Sequence, residues 1–154
     1  MHNANPGNRV IACAILTNFP TDDFTWWTLI EVLRDKEQFV NSAARQSLAV
    51  LVKSSPRTID WSPCVQTLRF LLAGTNLFAY TTVLEVLQQT NLSPALASLL
   101  LDESTTELLL ANLRANHMRE RRLARALLTN LAGEDLGDDA QVWQKWLENK
   151  EHKK

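Results

Sequence analysis

Leu29-Ile30-Glu31-Val32-Leu33-Arg34-Asp35-Lys36-Glu37-Gln38-Phe39-Val40-Asn41-Ser42-Ala43-Ala44-Arg45-Gln46-Ser47-Leu48 decides the fold. Leu29, Ile30 and Leu33 make one apolar edge at helical spacing. Asp35-Lys36-Glu37 is a tight polar turn. Val40, Ala44 and Leu48, continued by Leu51 and Val52, then fall on one face of a second helix. The stretch reads as helix, short turn, helix.

The same alternation extends outward. Pro20 and the Thr21-Asp22-Asp23 cluster end a first helix over about 8–18 and cap a second over about 24–34. The third, about 38–54, stops at Ser54-Ser55-Pro56. Asp60 or Ser62 opens a fourth to residue 73, with Pro63 in its first turn and Gly74 beyond its end. Five further helices are expected at about 76–89, 93–101, 105–115, 118–132 and 140–149, with a frayed tail over 150–154. Nowhere does strand alternation compete. The chain reads as one domain over 1–149.

Several of these helices are alike. Ala12, Ala14, Ile15, Leu16, Thr17 and Asn18 reappear as Ala124, Ala126, Leu127, Leu128, Thr129 and Asn130. Leu29, Ile30, Leu33 and Arg34 match Leu109, Leu110, Leu113 and Arg114. Leu48 and Leu51 match Leu84 and Leu87. First helices thus recur every 35 to 40 residues or so, a two-helix periodicity with degenerate copies.

On these residues the chain resembles the bacterial HEAT-repeat family. The family pattern is an apolar helix, an Asp-centred turn, a Val-Arg pair and a small-residue helix ending in Leu. Here Asn41 stands where that pattern has Arg. The run from Asn130 to Asp139, leading into Trp143 and Trp146, is similar to the Gly/Asp turn and Trp-rich last helix of such arrays. The resemblance implies an all-α, right-handed two-helix solenoid of about four degenerate repeats and eight or nine helices. An irregular helical bundle is the alternative. The resemblance also implies that the helices near 24–34, 62–73 and 105–115 line a concave binding surface.

Sixteen basic and seventeen acidic residues leave a formal net charge of -1, so any nucleic-acid or membrane signal must be local. No run approaches the ~18 apolar residues of a membrane span. Val10-Ile11-Ala12-Cys13 has the form of a lipoprotein cleavage box, but the polar residues before it provide no apolar region, and a cytoplasmic location is expected. His2, His117 and His152 are scattered, Cys13 and Cys64 lie isolated in apolar stretches, and no metal or cofactor is expected. The Asp-rich loop before 140 reads as a helix cap rather than a calcium loop. No nucleophile elbow, phosphate loop or dinucleotide fingerprint appears.

Two features suggest a binding surface. Arg114, Arg119, Arg121, Arg122 and Arg125 cluster with Glu120 as the only acid among them, and Arg121 and Arg125 stand one turn apart. Trp26 and Trp27 point about 100° apart on their helix, so they cannot both face one core direction. The expected partner-binding residues are therefore Trp26, Trp27, Arg114, Arg121 and Arg125. The expected function is a non-catalytic protein-interaction or scaffold module whose partner is another protein. The alternative is a nucleic-acid-binding repeat protein that uses the arginine cluster at 114–125.

Overall fold

A computed structural model describes residues 4–54, 57–74 and 76–151. Ser55, Pro56, His2 and the end of the expected tail, 152–154, lie outside the described residues. Within them the chain is all-helical: α1 Pro6–Leu16, α2 Asp23–Val32, α3 Gln38–Ser54, α4 Val65–Leu72, α5 Leu77–Gln89, α6 Pro94–Leu100, α7 Glu103–Arg114, α8 Met118–Ala132 and α9 Ala140–Glu151.

Local chemistry sets the boundaries. The Asn5 side chain caps α1 by accepting from the Gly7 amide, and Pro6 fills the first turn, so α1 begins before the expected residue 8. Asp22 caps α2, Asn76 caps α5, Ser93 caps α6 and Asp102 caps α7, each through a first-turn amide. Gly133 closes α8 in the left-handed conformation. The fourth helix departs from expectation. Ser62–Cys64 form a separate 3-10 turn, and the α-helix starts only at Val65. The Asp60 carboxylate accepts from the Ser62 amide ahead of that turn.

Helix packing follows a simple order. α1 packs on α3, α3 on α5 and α5 on α8, which makes one row. α2 packs back on α3, α4 on α5 and α7 on α8, each joined to its mate by a short turn. α2 also meets α4, α4 meets α6, α6 leans on α8, and α9 closes the far end against α7. The helices at 24–34 and 105–115 therefore pair most closely with the helix that follows each of them, while the one at 62–73 packs on both α5 and α6.

One apolar core runs through the array, from Cys13, Trp26 and Leu48 through Trp61, Leu68 and Leu84 to Leu128 and Trp143. Full burial of side chains this size contributes about 1.5–3 kcal/mol each.

Polar side chains tie neighbouring elements with a regular step. Ser47 Oγ donates to the Cys13 carbonyl, and Trp27 Nε1 to the Asp60 carbonyl. Arg69 bonds Asp102, Asn112 bonds Tyr80, and Arg119 bonds Glu85. Trp61 Nε1 donates to Thr90 Oγ1, and Arg57 Nη1 to the Pro20 carbonyl. These ties join residues 29 to 37 apart in sequence. Arg9 reaches Asp35 over a shorter 26 residues and grips both carboxylate oxygens, at 2.7 and 3.0 Å.

Candidate functional site

The outer faces of α3, α5 and α8 lie side by side because those helices form one row. Along α3 that face carries Arg45, Ala49, Val52 and Lys53; along α5, Thr82, Glu85 and Gln89; along α8, Arg119 and Arg122. Between them runs an open groove of about 450 Å³. Its floor is the edge of the core, Leu48, Val86 and Leu123, each at most 2% exposed.

Charge is lopsided in this groove. Arg45, Lys53, Arg119 and Arg122 line it, against Glu85 as the one carboxylate. Glu85 is already engaged by Arg119, whose Nε lies 3.0 Å from Oε1. Arg45 is braced by the Asn41 side-chain oxygen at 3.2 Å and stacks over the ring of Phe78, 5.1 Å from its centroid. Lys53 and Arg122 are exposed, and their side chains have no hydrogen bond or ion pair to any described residue.

Two further recesses flank the array. One of about 500 Å³ beside α8 is bounded by Met118, Arg121, Arg122 and Arg125 with Asp135 and Asp138. In it Arg125 clamps the Gly/Asp loop, with Nε 2.8 Å from Asp135 and Nη1 2.6 Å from Asp138. That guanidinium, with the Gly137 amide, holds the Asp135 carboxyl down to about 2. The other recess, about 320 Å³ between α7 and α9, is acidic, with Glu103, Glu107 and Glu148.

The residues singled out by sequence are dispersed. Trp26 is fully buried, and its indole N–H donates to the Pro20 carbonyl at 3.0 Å. Trp27 is half-buried against the core and donates to the Asp60 carbonyl at 2.8 Å. Arg114 leaves the end of α7 to bond Gln144 of α9. Arg121 turns back on the Ala115 carbonyl at 2.9 Å. α2 and α7 are not among the closely packed helix pairs, so the tryptophan pair and Arg114 belong to different parts of the array. Arg119 and Arg122, members of the arginine cluster, do reach the groove, where they meet Arg45 and Lys53 from α3. The signal for those two was the exposed spacing of Arg45, Ala49 and Lys53. Sequence alone does not show that α3 and α8 flank α5.

Other reactive groups are enclosed. Cys13 and Cys64 are free, buried thiols, each pushed up to about 11 chiefly by burial. Burial also raises the Tyr80 phenol. Among the described residues no three His, Cys, Asp or Glu side chains are placed to share a metal ion. No described helix is long and apolar enough to cross a membrane. Compared with protein-family models, curated proteins and solved structures, the chain matches none.

Proposed function

We propose that the chain is a non-catalytic protein-interaction module, built as a right-handed HEAT-like array of about four degenerate repeats, and that the groove over α3, α5 and α8 is its binding surface. The row order of the helices supports the repeat reading, as does the near-constant sequence step of the ties between them. The groove carries the functional reading. It is open, floored by the core and flanked by two exposed cations with no described partner. Such a surface suits a guest laid across several helices, as stacked repeats generally provide. The binding face is thus assigned to α3, α5 and α8, in place of the helices near 24–34, 62–73 and 105–115 that the family resemblance implies.

Binding of nucleic acid through the arginine cluster has less support. Arg119, Arg121 and Arg125 are bonded to Glu85, the Ala115 carbonyl, and Asp135 and Asp138. Recruiting them to phosphates requires breaking those bonds.

Photo-crosslinking in living cells tests the reading. A photoreactive residue is placed at Ala49 in the groove, and in a second variant at exposed Ala111 on α7. Protein adducts that form at 49, resist nuclease and are missing at 111 support the proposal. Adducts confined to 111 move the surface to α7, and nuclease-sensitive adducts move the weight to nucleic acid.

A further inference from the structure

We infer that the groove takes an acidic amphipathic segment of another protein, with an apolar stripe against Ala49 and Val52 and carboxylates against the rim. The inference rests on the interaction-module reading and adds the chemistry of the guest. Four cations face one carboxylate, and that carboxylate is already held by Arg119. Lys53 stands on the α3 side and Arg122 on the α8 side, so the unneutralised charge borders the groove on both flanks. The chain as a whole carries -1, so this excess is a local field and not a reflection of composition.

Between the flanks lies apolar surface. Ala49 and the half-buried Val52 supply it from α3, over a floor closed by Leu48, Val86 and Leu123, and beside the groove the Phe78 ring, 69% exposed, lies under Arg45. A sugar–phosphate backbone gains from the cations but leaves Ala49 and Val52 without an apolar partner. A segment with Leu, Ile or Phe along one stripe and Asp or Glu beside it satisfies both. Gln46, Gln88 and Gln89 add amides able to donate to carboxylates and to peptide carbonyls.

The test uses the full chain and a random peptide display library. Selected peptides are expected to pair apolar residues with Asp or Glu. Their affinity should fall by about tenfold or more in the double variant Lys53→Glu, Arg122→Glu. Both side chains are exposed and unbonded to described residues, so the variant should keep the wild-type helical circular dichroism and melting point. Replacing the acids of a selected peptide by Lys should restore binding to the variant and abolish binding to wild type. A library that yields no binders, binders without acidic enrichment, or binders indifferent to the double variant overturns the inference. A duplex oligonucleotide that displaces the peptides and binds more tightly overturns it in favour of phosphate. The adduct at Ala49 separates the two proposals. If it forms equally in wild type and the double variant, the module reading stands and the acidic guest falls; if it never forms at 49, the groove falls as the binding surface, and with no adduct at 111 either, the module reading falls as well.

Discussion

Trp26 and Trp143 make the same hydrogen bond at opposite ends of the chain: each indole N–H donates to the carbonyl six residues earlier, Pro20 at 3.0 Å and Gly137 at 2.8 Å. Both rings are wholly buried near the start of their helices, and both bonds tie the helix to the loop before it. A Leu-Thr-Asn run lies near the C-terminal end of each preceding helix, Leu16-Thr17-Asn18 at the close of α1 and Leu128-Thr129-Asn130 inside the last turns of α8. Trp26→Phe and Trp143→Phe should therefore cost similar amounts, roughly 1–3 kcal/mol each from the lost bond and the smaller ring. Urea unfolding measures it; a loss at one site and none at the other would break the equivalence.

Gly74 and Gly133 both adopt positive φ, +80° and +78°, in very different surroundings. A Cβ on Gly74 runs into the Leu108 side chain, whereas one on Gly133 meets nothing within 4 Å. Gly133→Ala should cost about 1 kcal/mol for the left-handed backbone. Gly74→Ala should cost about twice that, because Leu108 must also move. Paired thermal melts check the ordering.

Acid should loosen the array through its aspartates. Asp35 is held below the usual carboxylate range first by Arg9, Asp102 first by the Thr105 amide and then by Arg69, and Asp135 first by Arg125. A folded pKa below the unfolded one gives stability that is present above about pH 4 and lost as pH falls toward the folded value. Stability should be level near neutrality and fall between about pH 4 and 2. Asp35→Asn should flatten part of that acid limb in denaturant titrations at stepped pH, and an unchanged limb would remove Asp35 from the account.

The buried thiols give a chemical readout. With Cys13 and Cys64 both pushed up to about 11, an aromatic disulfide reagent at neutral pH should react slowly with the native protein. Both should react promptly in denaturant. Fast native labelling of either would show that its helix opens on the labelling timescale.

Asn41 shows both what the sequence conveys and where it stops. The helix–turn–helix around it was legible, because the apolar spacing and the polar turn agree. The task of Asn41 was not. Its amide donates to the Leu33 carbonyl at the end of α2, while its oxygen accepts from Arg45. The residue that departs from the family pattern thus closes the hairpin and braces a groove arginine. Asn41→Ala should cost about 1–3 kcal/mol by leaving the Leu33 carbonyl unpaired, and Asn41→Arg should not rescue it.

The rest of the reading divides the same way. Helix starts were visible because Asp22, Asn76, Ser93 and Asp102 are short polar caps whose effect is local. The 3-10 turn at Ser62–Cys64 was hidden, because Pro63 fits the first turn of either helix type. Which of two adjacent tryptophans is buried depends on where α3 and α4 lie, and periodicity within α2 does not specify that. The groove was hidden for the same reason, since its walls come from α3 and α8 on either side of α5.

The regular step of the ties has a kinetic consequence. A bond such as Ser47 to Cys13, Arg69 to Asp102 or Arg119 to Glu85 closes a loop of about one helix pair and no more. Loop-closure entropy therefore stays small at every stage, and assembly has no distant ends to bring together. On the proposed repeat reading, folding begins at any adjacent pair and spreads both ways, and unfolding starts at α1 or α9 while the middle holds. Amide exchange should accordingly be fastest at the two ends of the stack and slowest around Leu68 and Leu84, where the core has neighbours on both sides.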